Sequence, residues 1–412
     1  MSERQWKRLD VVKRVEAGRL RVCEAAQMLG LSERQVLTIR KRVAEEGSAG
    51  VVHGLKGRSP VNRLGDEARE KIVRLRRDVY DGFNDHHFTE KLVEVEHVTV
   101  SRATVQRVLR AAGIGSTRER RPAKHRRRRD RKQQAGQMIL WDGSRHEWLE
   151  QRGPMLCLMG AIDDATGELL PGAHFVEQEC GAGYLRVLRA IAEEKGLPCM
   201  AYMDQHGSLK RNDDHWTLEE ELRGEQDPTH VGRALKALEV EPIYALSPQA
   251  KGRVERMWGT LQDRLVSELR LAGAKTREEA NTVLERYRED HNRRFTVVAQ
   301  DTKPAWRKVR ASLDLDRACS FQYKATVLND NTVRLSGKVI DIPPGPGRRS
   351  YAHARVEVRQ LLDGTWRVYF KNQLIAQAPA SDVEEPRPLR HRKRPAASRA
   401  FRRAVQRVAG GR

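Results

Sequence analysis

The chain is poor in aromatic residues, 5% of 412, and poor in cysteine. Cys23, Cys157, Cys180, Cys199 and Cys319 stand far apart with no CxxC pair. An odd, scattered set argues against a disulfide framework or a zinc site and fits reduced thiols. Also missing is any apolar run near the roughly 20 residues of a membrane span. The opening MSERQWKRLD lacks the apolar stretch of a signal peptide, so the expected setting is the cytoplasm. Negative charge is in deficit too: 56 acids against 78 Lys and Arg leave a net charge of +22. A surplus of that size drives counterion release from a polyanion, so nucleic acid is the expected partner, ahead of an acidic membrane or of none. What is there is ample for folding. Hydrophobic residues make up 39% and the length fits two to four domains.

Residues 1–46 read as helices, with Val11, Val12 and Val15 at helical spacing. A short helix from Glu24 to Leu29 meets a turn at Gly30, and Ser32 with Gln35 forms a capping box for the next helix. This is the grammar of a helix-turn-helix, and equally of a plain helical hairpin. The small Ala25–Ala26 pair permits close packing, and the second helix presents Arg34, Arg40, Lys41 and Arg42. The pattern then recurs. Residues 66–78 and 86–94 read as helices, and a third starts at Ser101, carries Val105, Val108 and Leu109 on one face, and ends at Gly113. Arg102 and Arg107 lie on it as candidate DNA contacts. Between the two units GLKGRSP (54–60) reads as an extended linker. From 116 to 133 ten Lys/Arg, among them Arg126, Arg127, Arg128 and Arg129, face two acids with no core residue. That is a solvated linker, either tracking phosphates or merely spacing two domains.

The pattern changes at 137. QMILWD, MLCLMGAID and GELLPGAHFV read as strands, 181–195 as an amphipathic helix, and CMAYMD as another buried strand. HVGRALKALEV is then a helix, EPIYAL a strand, and SPQAKGRVERMWGTLQDRLVSELRLAG a long helix ending at Gly273, followed by a helix over 277–290. FQYKATVL, TVRLSGKVIDI, ARVEVRQL, TWRVYF and NQLIAQ then read as five short strands within about 60 residues, which predicts a small β-barrel. The stretch from Arg387 holds ten Lys/Arg and no acid, a basic tail expected to be disordered. The expected fold class is multidomain α/β. Its parts are helix-turn-helix domains over 1–53 and 61–115, a basic linker over 116–135, a mixed α/β core over 136–295 with an insertion near 207–228, a β-barrel over 315–380, and a basic tail over 385–412.

Three acids carry the expected chemistry. Asp142 ends QMILWD, Asp204 ends CMAYMD, and Glu255 lies early in the long helix. Carboxylates converging on one point need cations to stay ionised, and hard oxygen donors favour Mg²⁺ or Mn²⁺. Two such ions roughly 3.5–4 Å apart would serve an in-line displacement at phosphorus. Taken singly, strand-end aspartates are as often turn formers. Asp163 and Asp164, ahead of Gly167, read that way. Trp141, Trp258 and Tyr202 read as core. His206 and Ser208 either touch DNA or serve their loop. Lys251 and Arg253 either meet DNA phosphates near the cut or pair with acids of their own helix.

WDGS, YMDQHGS and SPQAKGRVERMWGTLQDRL resemble the three acid-bearing motifs of the retroviral-integrase and transposase superfamily. Within it the chain resembles bacterial DDE-type insertion-sequence transposases of the ISNCY group. The motif match covers about 137–270, and the domain order extends it over most of the chain. The resemblance implies an RNase H-like core whose first and fourth strands lie side by side and parallel. It implies two Mg²⁺ (or Mn²⁺) ions held by Asp142, Asp204 and Glu255. It also implies recognition of terminal inverted repeats by the N-terminal helices, strand cleavage exposing a 3′-OH, and transfer of that 3′-OH into target double-stranded DNA. Assembly on paired ends, at least as a dimer, and a place at the bacterial nucleoid follow in the same way. Two departures stand out. The interval of 51 positions from Asp204 to Glu255 exceeds that of many integrase-like relatives. The excess lies in LKRNDDHWTLEEELRGEQDP, whose Glu219, Glu220 and Glu221 compete for the role of third acid. Glu255 is preferred because Val254, Met257, Trp258, Leu261 and Leu265 give its helix a core face. His86 and His87 have no cysteine pair beside them, so no zinc is expected. The competing readings are a DNA-binding regulator without catalysis and a structure-specific resolvase.

Overall fold

The computed structural model describes residues 1–53, 64–117, 129–211, 216–245, 252–335 and 337–382. The linker expected at 54–60, most of the basic linker and the basic tail lie outside them. Two compact units divide at Lys71–Ile72. No helix among the described residues is long and apolar enough to cross a membrane.

The first unit holds α1 (Glu3–Glu16), α2 (Val22–Leu29) and α3 (Glu33–Glu46). Gly30 ends α2 in the left-handed region, at φ 62° and ψ 37°, where a Cβ would be strained. Ser32 then caps α3: its Oγ accepts the Gln35 N–H at 3.3 Å while Gln35 Oε1 accepts the Ser32 N–H at 3.1 Å. Ala25 and Ala26 are small enough for α2 to sit close upon Val11, Val15 and Val36, and these five form one apolar core. The capping box and packing pair are those expected from the sequence.

Helix α4 (Asp66–Asp78) runs across the division, and α5 (Asp85–Glu94) and α6 (Arg102–Ala111) belong to the second unit. Ser101 caps α6 through the Thr104 N–H at 3.3 Å, and Val105, Val108 and Leu109 are buried. Strands β1 (Met138–His146), β2 (Leu156–Asp163) and β3 (His174–Val176) follow. After them come α7 (Gly181–Glu194), β4 (Met200–Met203), α8 (Leu218–Arg223), α9 (His230–Ala237) and β5 (Glu241–Tyr244). The helices α10 (Gly252–Leu271) and α11 (Arg277–Phe295) complete the α/β region. The third strand is shorter than its apolar run, because Gly172, at φ 79°, turns the chain against α7.

The sheet is mixed, in the order β3-β2-β1-β4-β5. β2 runs antiparallel to β1 and β3, while β4 pairs in parallel with both β1 and β5. Alternation along β1 sends Ile139 and Trp141 to one face, against α7 and α9. Met138 and Leu140 go to the other, against α10 and α11. Val254, Met257, Trp258, Leu261 and Leu265 of α10 are all buried there, as its sequence pattern predicts.

The C-terminal strands correct one expectation. Helix α12 (Leu315–Ala318) leads into β6 (Phe321–Thr326), β7 (Thr332–Leu335), β8 (Lys338–Asp341), β9 (Arg355–Gln360), β10 (Trp366–Phe370) and β11 (Gln373–Ala378). They form an open four-stranded sheet, β11-β10-β9-β6, and a separate hairpin, β7-β8, rather than a closed barrel. The run TVRLSGKVIDI, expected as one strand, turns back on itself beside Gly337 at φ 81°. Its two short halves pair with each other and leave β6 and β11 unjoined.

Candidate active site

The register of β1 on β4 pairs Met138 with Met200 and Leu140 with Tyr202. Carried two residues further along both chains, it sets Asp142 alongside Asp204. Both follow even-numbered neighbours that pack toward α10, so alternation aims the two carboxylates at the same face. Two elements then fix them. The Trp258 indole N–H of α10 donates to Asp142 Oδ2 at 3.1 Å. The backbone N–H of His206 donates to Asp204 Oδ1 at 2.8 Å, closing a tight turn. Gly160, paired with Asp142 across β1 and β2, leaves room for the Trp258 ring, since a Cβ there would lie 3.3 Å from it. Trp258 is therefore both core and site.

Glu255 stands exposed on α10, one turn before Trp258. It is not gathered with the two aspartates: among the described residues no three His, Cys, Asp or Glu side chains are grouped to hold a metal ion. Of the competing acids in the insertion, Glu219 and Glu221 are exposed, while Glu220 is buried and bound by Arg211 at 2.5 Å. Glu220 therefore holds the insertion together.

One carboxylate escaped the sequence analysis. Glu179, between β3 and α7, lies on the opposite face of β1 beside Gly143. A Cβ at 143 would fall 2.9 Å from its Oε2, so the glycine of WDGS makes space for it. Its Oε1 accepts the Tyr184 hydroxyl at 2.5 Å and sits 3.5 Å from His206 Nδ1. Burial lifts the Glu179 carboxyl above the usual range. The Tyr184 hydroxyl and His206 oppose that rise, and the negative charges of Asp204 and Asp142 add to it. No motif marks Glu179; the only signal was a glycine directly after Asp142. The same fields act on Cys157, whose thiol is pushed up to about 12 by burial and then by Glu179 and Asp142. It is no nucleophile.

Asp163 and Asp164 form the turn expected of them and also anchor the surrounding chain. Asp163 is fully buried, accepting the Gly136 N–H at 2.7 Å and the Thr166 N–H at 2.8 Å. Asp164, equally buried, takes Arg129 at 2.6 Å, Arg253 at 2.5 Å and the Lys132 N–H at 2.8 Å. Arg129 and Arg253, two of the expected DNA contacts, are thus engaged inside the fold, on the acid that directly follows β2 rather than on one of α10. Arg34, Arg40 and Lys41 of α3 are exposed, whereas Arg42 is half-buried and donates to the Val52 carbonyl at 2.6 Å. Arg102 and Arg107 of α6 are exposed. Arg126, Arg127, Arg128 and Lys251 lie outside the described residues.

Comparison with known proteins adds four findings. Residues 8–70 match the family model described as winged helix-turn helix. A protein of Sinorhizobium fredii (strain NBRC 101917 / NGR234), provisionally named transposase y4bF, is 33% identical over 396 residues, 92% of this chain and 84% of that one. The transposase for insertion sequence IS1202 of Streptococcus pneumoniae is 32% identical over 333 residues, 71% of this chain and 68% of that one. Among solved structures, a chain from the simian T-cell lymphotropic virus intasome in complex with the PP2A regulatory subunit B56 gamma aligns at 12% identity and a TM-score of 0.31, over 76% of this chain and all of that one. A likeness that weak decides nothing about the fold.

Proposed function

The chain belongs to the insertion-sequence transposases, and from that premise we propose that it cleaves DNA strands at the element's ends and joins the exposed 3′-OH to target DNA, using Asp142, Asp204 and Glu255 of an RNase H-like core. The observation that carries this reading is the parallel pairing of β1 with β4, whose register, Leu140 opposite Tyr202, brings the two chains together two residues before Asp142 and Asp204. The strand order β3-β2-β1-β4-β5, with only β2 reversed among β1, β2, β4 and β5, supports the RNase H-like assignment.

The donor set fits divalent Mg²⁺ or Mn²⁺, because carboxylates are hard oxygen ligands. Asp142 and Asp204 would hold the ions, with Glu255 reaching from the first turn of α10. When bound, such ions activate the attacking oxygen and stabilise the leaving one. The chain's own groups do the positioning. Trp258 fixes the direction of Asp142, and the His206 turn fixes Asp204. Asp164 pins the start of α10, from which Glu255 projects.

In this reading the helices over 1–53 and 61–115 grip double-stranded DNA at the terminal repeats, with Arg34, Arg40, Lys41, Arg102 and Arg107 presented to it. The region 136–295 cuts, and at least two protomers pair the ends. The test is a supercoiled plasmid carrying the element's ends, incubated with Mg²⁺. Wild-type protein is expected to nick it. Asp142→Asn is expected to abolish nicking while shifting end DNA in a gel as wild type does. Normal nicking by Asp142→Asn would remove Asp142 from the chemistry.

A further inference from the structure

The chains that carry Asp142 and Asp204 are both met from behind by one side chain. Glu179 directly precedes the start of α7, whose first turn is seated hard against the sheet: a Cβ at Gly183 would lie 3.0 Å from Met159 Cγ on β2. Tyr184 of that turn is fully buried and stands edge-on to Trp141, with ring centroids 5.0 Å apart. Its hydroxyl donates to Glu179 Oε1 at 2.5 Å, which ties the carboxyl to the rigid side of the site. From there Glu179 reaches two places. Its Oε2 fills the space over Gly143, the residue after Asp142, where a Cβ would fall 2.9 Å away. Its Oε1 stands 3.5 Å from Nδ1 of His206, two residues after Asp204.

The second of these chains is the one that needs holding. β1 runs on through Asp142 to His146 and is paired with β2 from Ile139 onward. β4 instead ends at Met203 and leaves Asp204 in the segment that follows. That segment is fixed at its far end, where Leu209 is buried and the Leu209 and Lys210 N–H groups donate to the His206 carbonyl at 2.8 and 2.9 Å. At its near end the His206 N–H donates to Asp204 Oδ1 at 2.8 Å. Whatever steadies His206 therefore steadies Asp204. The Ser208 N–H reaches the His206 Nδ1 at 3.4 Å from within the turn, and Glu179 reaches it from outside. Like charges work against this arrangement: Asp204 and Asp142 both push the Glu179 carboxyl up, while His206 draws it down. The contact between Glu179 and His206 is the attraction that opposes the repulsion among the three acids.

We propose that Glu179 is a positioning residue, a brace from α7 to the turn after β4 that holds the Asp204 carboxylate at its offset from Asp142, and that position 143 is glycine because the brace passes over it. This rests on the strand-cleaving reading above. Glu179 acts through His206 and touches neither the DNA nor the ions.

The test uses the full chain and begins without any reaction. Hydrogen exchange over residues 203–211 reports the turn. Glu179→Ala is expected to speed exchange there by about tenfold or more, and Glu179→Gln, whose amide oxygen can take the same contacts, to stay within about threefold of wild type. Unchanged exchange in Glu179→Ala would overturn the brace. Faster exchange spread over the whole mixed sheet would overturn it too, by making Glu179 an ordinary packing residue. In nicking of a plasmid that carries the element's ends, Glu179→Ala is expected to lower kcat about ten- to a hundredfold with KM for DNA unchanged, and Glu179→Gln to recover most of the loss. Equal losses in both variants would sink the proposal. Gly143→Ala crowds the brace, so it is expected to slow the wild-type chain and to add nothing in Glu179→Ala. The same added loss in both backgrounds would separate Gly143 from Glu179 and overturn that part. Wild-type protein that leaves the plasmid intact would defeat the cleavage reading alone, and hydrogen exchange would still decide the brace.

Discussion

An indole N–H 3.1 Å from a carboxylate oxygen directs that oxygen's lone pairs. A hydrogen bond to a charged group contributes about 1.5–3 kcal/mol. Trp258→Phe keeps most of the packed ring and loses the donor, so cleavage is expected to slow by about ten- to a hundredfold, with end binding unchanged in a gel-shift titration. An equal fall in binding would make Trp258 merely structural. Two histidines, His291 buried and His230 half-buried, give a separate signature. His230 and His291 are both lowered from 6.5 to about 4, chiefly by burial and then by the neighbouring Arg233 and Arg264 respectively. His230 Nδ1 accepts the Gln322 N–H at 3.0 Å and must be unprotonated to do so. A base whose folded pKa is depressed takes up its proton more readily unfolded, so its contribution is present above 6.5 and is lost as pH falls toward 4. The urea midpoint is expected to drop over that window, and His230→Asn to flatten part of the drop. At this scale the sequence was legible in part: Asp204 falls directly after β4, as its run predicts, whereas Asp142, expected at a strand end, lies in the middle of β1, which continues to His146. Glu179 was not, because only the glycine at 143 points to it in the sequence.

Among elements, α10 carries the most. Its core face was readable from the spacing of Val254, Met257, Trp258, Leu261 and Leu265, since burial of an amphipathic helix follows its periodicity. Its polar face was not. Arg253, expected to meet DNA or an acid of its own helix, is committed to Asp164 in the fold, and Arg264 and Glu268, which no motif marks, to Glu90 and His87. Pairing across 89 or 174 positions leaves no periodic trace. Asp164→Ala is expected to strand two guanidinium groups and cost about 3–5 kcal/mol of stability, read from chemical denaturation, and to slow cleavage by loosening the start of α10. Wild-type stability in this variant would mean that water replaces the carboxylate readily. The barrel expectation failed for a reason of the same kind. Alternation fixed the strand type of TVRLSGKVIDI, but one turn at Gly337 decided what the strand pairs with.

For the molecule as a whole, the charge of +22 makes DNA binding an ionic process. The logarithm of affinity is expected to fall linearly with that of salt concentration, with a slope of roughly 0.9 per phosphate engaged. Removing residues 385–412 should make it shallower, and an unchanged slope would mean that the tail engages no phosphates. The order of parts, helices first, mixed sheet next and strands last, was visible in the sequence because each has its own hydrophobic period. Which parts move together was not, since that depends on side chains meeting across the fold.

The seating of α5 has a consequence for exchange of specificity between relatives. Transplanting residues 72–115 from another member of the family would carry Glu90 and Glu94 away from the sockets that Arg264 and Arg294 provide. A chimera that ignores the match buries orphan cations under the graft, whereas one that exchanges the sockets with it keeps every charge of the seat paired.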